Sequence, residues 1–209
     1  MDHLQQLIER YPQLESVRES IKEAFHIITK SFEKGGKLLI AGNGGSSSDA
    51  EHIVAELMKS FVIKRKLPDH FSGMLKTIDS EISDYLLPRL QPGLAAISLS
   101  GHTSLNTACI NDIDGNIIFS QQLYTYANNV DTFLGISTSG NSKNIIYAAV
   151  TARAKGLKVI ALTGSNGGRL KDFADISIIV PESETYKIQE LHLPIYHCLC
   201  LLLEEHFFK

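Results

Sequence analysis

A histidine and a glutamate four residues apart, His52 and Glu56, follow directly on a loop of glycine and serine, GNGGSSSD at 42–49. An imidazole and a carboxylate one helical turn apart can meet. Such a pair can move protons or ligate a metal ion. The loop offers different chemistry. Gly42, Gly44 and Gly45 let backbone approach a ligand closely. The N-terminus of the helix that follows presents unpaired N–H groups and a partial positive charge, a match for phosphate. A second loop of this form, STSGNS at 137–142, crowds the hydroxyls of Ser137, Thr138, Ser139 and Ser142 into six residues, and TGSNGG at 163–168 is a third polar turn. Each feature alone has a plainer reading: serine and asparagine cap helices, and an i,i+4 pair decorates many solvated faces. Two hydroxyl-rich loops, each after an apolar strand, favour phosphate binding. There is no G-x-x-x-x-G-K-[ST] and the glycine spacing misses G-x-G-x-x-G, which argues against P-loop nucleotide and dinucleotide sites.

The elements that must position these groups can be read from periodicity. On the helix predicted over 48–61, Ala50, Ile53, Val54, Leu57, Met58 and Phe61 form one apolar stripe. His52 and Glu56 fall on roughly the opposite side. The pair is therefore expected to face away from its own core, so that another element or subunit completes the site. KIQELHLPIYH at 187–197 opens a final helix over about 185–206 and supplies Gln189, His192 and His197. This helix is apolar nearly all round and is expected to be buried in a subunit interface, where His192 is either a ligand or a satisfied structural residue. Gln189 and His197 lie about 12 Å apart along an ideal helix. For both to hold one metal, both side chains must reach inward or the helix must bend at Pro194.

Strands are predicted at 38–41, 94–99, 132–137, 158–163 and 175–180, alternating with helices. A helix is predicted over 3–32, interrupted at Pro12, with mixed helical segments near 103–110 and 119–128 and a helix over 143–155. The segment 62–93, with prolines at 68, 88 and 92, reads as irregular. Alternating strands and helices imply a three-layer α/β/α sandwich around a five-stranded parallel sheet, with ligands beyond the carboxyl ends of the strands. The three polar turns fall at that edge.

The 209 residues suit a single domain, and hydrophobic (44%) and charged (21%) contents are ordinary for a globular chain. A net charge of −3 without basic blocks argues against a nucleic-acid surface. No run approaches 18 apolar residues, so no membrane span is expected. MDHLQQLIERYPQ lacks the apolar stretch of a signal peptide. Three cysteines at 109, 198 and 200, odd in number and matching no metal motif, point to a reducing, cytoplasmic setting.

The stretches AGNGGSSSDAEHIVAEL, ACINDIDG, LGISTSGNS, ALTGSNGG and KIQELHLPIYH, in this order along nearly the whole chain, resemble the sugar isomerase (SIS) domain family. The likeness is closest to its phosphoheptose isomerases. The serine loops are common to SIS domains, whereas H-x-x-x-E and Q-E-x-H-x-x-x-x-H are specific to the heptose enzymes. The resemblance implies one flavodoxin-like SIS domain over 1–209, with a helical arm at 1–34 and an interface helix at the C-terminus. It implies one zinc ion held by His52, Glu56, Gln189 and His197, and Glu56 and His197 as base and acid. Substrate contacts are implied for Asn43, Gly44, Gly45, Ser46, Glu56, Asn111, Asp112, Ser137, Thr138, Ser139, Ser142 and Gln189. It further implies a homotetramer with active sites between subunits. The reaction implied is conversion of sedoheptulose 7-phosphate to a glycero-manno-heptose 7-phosphate through an enediol, which opens nucleotide-heptose synthesis. Two features depart from the family pattern: an atypically long segment at 63–93, and Tyr186 where an acidic residue is expected. Non-catalytic SIS relatives that bind sugar phosphates as regulators, among them replication-initiator-associated ones, form an alternative class. Isomerases of other sugar phosphates form another.

Overall fold

A computed structural model of the chain describes residues 3–209. Five parallel strands, β1 (Leu38–Ala41), β2 (Ala96–Ser98), β3 (Thr132–Ser137), β4 (Lys158–Thr163) and β5 (Ile176–Ile179), form one sheet in the order β2-β1-β3-β4-β5. Alternate side chains go to opposite faces. Leu38 and Ile40 join one apolar cluster, with Leu134, Ile136, Ile160 and Leu162. Leu39, Ala41, Phe133, Val159 and Ala161 join the other. Burial on both faces is why these strands read as continuous apolar runs rather than alternating ones.

Helices α1 (His3–Arg10), α2 (Arg18–Glu33), α3 (Gly45–Met58) and α9 (Thr185–Phe208) enclose the first cluster. Helices α7 (Ile118–Tyr126) and α8 (Lys143–Ala154) enclose the second. The α/β/α expectation is met. The strand order reverses between β1 and β3, and the GNGG and STSGNS loops leave the carboxyl ends of those two strands, the usual ligand position of such sheets.

Several local expectations are revised. The described part of the amino-terminal segment is helical and packs on its own chain. Proline has no N–H to continue α1, and a 3₁₀ turn over Pro12–Val17 leads into α2. Leu7, Leu14, Ile21, Ala24 and Ile28 are buried against the rest of the same chain. Helix α3 starts inside the serine loop and stops at Met58, where Lys59 turns extended, so Met58 is exposed rather than part of a buried stripe. Residues 63–93 are not wholly irregular. They contain α4 (Asp69–Ile78) and α5 (Ser80–Leu86), and Asp79 caps α5 by accepting the Ile82 N–H at 2.9 Å. No residue of α4 is buried, and Met74, Ile78, Ile82 and Tyr85 are exposed.

Helix α9 runs through Pro194 without a break, and its burial needs no second chain. Ile188, Leu191, Ile195, Leu199 and Leu203 all sit in the first cluster of this chain. His192 is fully buried inside the same subunit, and neither ring nitrogen has a hydrogen-bond partner. The hydrogen-bond partner expected of a satisfied histidine is absent among the described residues. Burial lowers its pKa from 6.5 to about 4, against a smaller opposing pull from the Thr163 backbone. The sign follows from linkage: between pH 6.5 and about 4 the unfolded chain takes up a proton that folded His192 refuses. Acidification through that window should therefore cost about 3 kcal/mol of stability. Urea midpoints measured against pH should show this slope in the parent chain and lose it in His192→Leu. Equal slopes would place the acid sensitivity elsewhere.

Candidate active site

Helix α3 carries the site on one face. At about 100° per residue, Gly45, Asp49, His52 and Glu56 (positions i, i+4, i+7 and i+11) fall in a single stripe. The apolar residues Ala50, Ile53 and Leu57 lie about a third of a turn away and bury against the sheet, which leaves the polar stripe open to a neighbour. A neighbouring element of the same chain, α9, lies against it. It runs parallel to α3: the Gln189 amide lies against Gly45, where an added Cβ would fall 2.6 Å from Nε2, and eight residues on His197 meets His52.

At the start of the stripe lies a cavity of about 320 Å³ lined by Asn43, Gly44, Gly45, Ser46, Ile136, Ser137, Thr138, Ser142, Thr185 and Gln189. Gly44 has φ +54, a conformation that favours glycine. The Ser137 and Ser142 hydroxyls lie 3.1 Å apart, and Asn43 exchanges two 2.9 Å side-chain hydrogen bonds with Asn144. The second serine loop is pinned to the third polar turn. The Gly164 N–H donates to Thr138 O at 3.0 Å, Leu170 N–H to Gly140 O at 2.9 Å, and Arg169 N–H to Asn141 Oδ1 at 3.1 Å. Gly140 has φ +65, and a Cβ there would sit 2.0 Å from Gly167 O. Gly140→Ala should therefore cost at least about 1–3 kcal/mol and loosen the cradle. A lowered urea midpoint and weaker inorganic phosphate binding would show this, whereas an unchanged midpoint would contradict the packing of the two loops.

Farther along the stripe, His52 Nε2 lies 3.3 Å from Glu56 Oε1 and 3.4 Å from His197 Nε2. Glu56 Oε2 accepts from Lys59 Nζ at 3.1 Å. On the other side of the ring, the Tyr196 hydroxyl lies 3.1 Å from His52 Nδ1 and donates to Asp49 Oδ1 at 3.2 Å. The rings of His52, Tyr196 and His197 pack edge to face. Burial, then the neighbouring His52, hold His197 below the usual imidazole pKa, against the pull of Glu56. Burial also raises the Asp49 carboxyl, opposed by Tyr196 and His52.

The residues singled out in the sequence thus separate into two groups. His52, Glu56 and His197 come together. Asn43, Gly44, Gly45, Ser46, Ser137, Thr138, Ser142 and Gln189 line the cavity about two turns of α3 away. Ser139 does not line the cavity; its hydroxyl accepts the Asn141 N–H at 3.2 Å in the turn. Asn111 and Asp112, at the end of α6 (Thr103–Asp112), are exposed, bonded to each other at 2.8 Å, and absent from the cavity wall. Asp49, Lys59, Asn144, Thr185 and Tyr196 enter the site without having been singled out. For Asp49 the signal was available, since it extends the stripe of Gly45 and His52.

Two imidazoles and a carboxylate are donors that zinc accepts, and tetrahedral ligands at about 2.0–2.1 Å stand about 3.4 Å apart, close to both separations seen here. As the side chains stand, Gln189 stays at the cradle, and among the described residues no group of three or more His, Cys, Asp or Glu is gathered closely enough to hold a metal ion.

Comparison with known proteins bears on this arrangement. The SIS domain family matches residues 2–86 and 86–164. A phosphoheptose isomerase of Helicobacter pylori (strain P12) is 39% identical over 194 residues, covering 93% of this chain and 88% of that protein. Among solved structures, a phosphoheptose isomerase from Francisella tularensis superposes with a TM-score of 0.77 at 31% identity, covering 96% of this chain and 94% of its own. One from Neisseria gonorrhoeae gives 0.75 at 31% identity, covering 97% and 95%.

Proposed function

The chain belongs to the SIS-domain family, within its phosphoheptose isomerases, and on that premise we propose that it interconverts sedoheptulose 7-phosphate and a glycero-manno-heptose 7-phosphate, the opening step of heptose synthesis. The observation that carries the reading is the polar stripe of α3, with a hydroxyl-lined cradle at one end and a proton-transfer cluster at the other. Gly45 and His52 are seven residues apart, about 10 Å along the helix. An open seven-carbon chain built of C–C bonds near 1.5 Å also reaches about 10 Å from terminal phosphorus to C1. A five-carbon phosphate is about two bonds short.

In this reading Ser137, Thr138, Ser142 and the Gly44–Ser46 backbone hold the phosphate, and Gln189 holds the sugar between the two ends. Ser139 belongs to the same loop. Asn111 and Asp112 are assigned to substrate as well, contributed by a neighbouring subunit, because in their own chain they stand away from the cavity. In this reading the chain forms a homotetramer with active sites between subunits. Anchoring the phosphate places C1 and C2 at the cluster and removes much of the entropic cost of orientation. Glu56 takes the proton from one carbon and returns it to the other, while His197 exchanges the proton of the sugar oxygen. His52, Glu56 and His197 would hold zinc, with Gln189 reaching it only if its amide leaves Gly45. Bound there, zinc supplies polarisation of the enediolate oxygens. The odd number of cysteines, matching no metal motif, supports a cytoplasmic setting.

The test combines two measurements on the purified protein: zinc per chain, and isomerisation of sedoheptulose 7-phosphate beside pentose and hexose phosphates. About one zinc per chain and turnover confined to the seven-carbon substrate are expected. Turnover of a shorter sugar alone would overturn the length argument. Binding of sugar phosphates without turnover of any would make the chain a binding module.

A further inference from the structure

We infer that Tyr196, anchored by Asp49, is a positioning residue that keeps the proton of neutral His52 on Nδ1 and turns the bare Nε2 toward Glu56 and His197. The inference rests on the zinc-dependent reading above. Tyr196 is 1% exposed, so its hydroxyl must find partners within the protein. It has two in reach, Asp49 Oδ1 at 3.2 Å and His52 Nδ1 at 3.1 Å. A phenol has one hydrogen. A carboxylate can only accept, so that hydrogen goes to Asp49, and the phenol oxygen is left to accept from His52 Nδ1–H. An imidazole that carries its proton on Nδ1 has its lone pair on Nε2. That nitrogen faces Glu56 Oε1 at 3.3 Å and His197 Nε2 at 3.4 Å. Orienting a histidine ligand through its far nitrogen is a general device of metal centres, usually performed by a carboxylate or carbonyl directly. Here a tyrosine from α9 stands between the carboxylate and the ring. The side-on packing of the Tyr196 and His52 rings, centroids 5.4 Å apart and planes at 72°, fixes the ring plane as well.

Two variants separate this role from simple packing. Tyr196→Phe keeps the ring and removes the relay. Asp49→Asn keeps the shape but can donate to the phenol oxygen, which turns the Tyr196 hydrogen onto His52 Nδ1 and reverses the tautomer. The readout is histidine ¹⁵N NMR of the metal-free protein at pH 8, together with zinc affinity from chelator competition. In the parent chain the proton of His52 should sit on Nδ1. In Asp49→Asn it should move to Nε2, and in Tyr196→Phe the preference should be lost. Zinc affinity should fall about 10–100-fold in both. A parent His52 protonated on Nε2 would overturn the inference without any variant having to fold. So would a Tyr196→Phe protein with the parent tautomer and zinc affinity within twofold. If the parent chain binds no zinc but shows the Nδ1 tautomer, the metal reading fails and the positioning role stands.

Discussion

Glu56→Gln should isomerise sedoheptulose 7-phosphate about 10²–10⁴-fold more slowly than the parent chain, the usual loss when a positioned general base is removed. The substitution keeps the size of the side chain and removes its basicity. Oε2 accepts from Lys59 and Oε1 lies beside His52 Nε2, so the amide oxygen can keep Lys59 while the amide N–H faces the His52 lone pair, and the fold should persist. The cradle begins eleven residues earlier on the same helix, about three turns away, so phosphate affinity should hardly change. The informative measurement therefore pairs kcat with inorganic phosphate binding. Zinc content measured in the same preparation separates loss of the base from loss of a ligand. A Glu56→Gln protein that turns over at the parent rate would remove Glu56 from the chemistry.

The largest stability effect is expected far from any substrate. Arg65 and Glu204 form an ion pair in which both side chains are 1% exposed. Arg65 donates to Glu204 Oε1 through Nε at 3.1 Å and Nη2 at 2.9 Å, and to the carbonyls of Leu57 and Pro92 through Nη1. Its guanidinium also lies 4.2 Å from the centre of the Phe208 ring. Glu204 in turn accepts the backbone N–H groups of Phe61, Val62 and Ile63. One charged pair thus ties the end of α3, both ends of the long 63–93 segment and α9 together. Arg65→Ala leaves a buried carboxylate without its cation and should cost about 3–5 kcal/mol, a large part of a typical domain's 5–15 kcal/mol. Urea denaturation would measure it, and a loss below 1 kcal/mol would show the pair to be dispensable. The double variant Arg65→Met, Glu204→Gln should recover much of the loss, because the unpaired charge is the main cost. Burial pushes the Glu204 carboxyl up, but the three N–H donors and Arg65 outweigh it and the net shift is downward. Its contribution is therefore present above the ordinary value of 4.5 and lost as the pH falls through the lower folded value.

The layers of the fold were legible because strand burial and helix periodicity are local properties. Leu38–Ala41 and Thr132–Ser137 are apolar throughout because both faces of the sheet are covered. Prolines at 68, 88 and 92 hid α4 and α5. Pro68 in fact stands just before α4, where a proline costs no helical hydrogen bond. The pairing of His52 with Glu56 was legible too, since four residues on a helix make one turn.

The amino-acid sequence by itself determined the sheet, the two hydroxyl-rich loops at the carboxyl ends of its strands, and the separate presence of the two motifs, His52 with Glu56 and Gln189 with His197. Tertiary structure alone decided what faces them. The polar stripe of α3 is closed by α9 of the same chain, Gln189 goes to the cradle while His197 goes to His52, and Asp49 joins through Tyr196. Residues 144 to 147 positions apart meet only because two parallel helices pack in one register. That register follows from how the apolar faces of both helices fill the space against the sheet, a property of the whole core that no short stretch of residues contains.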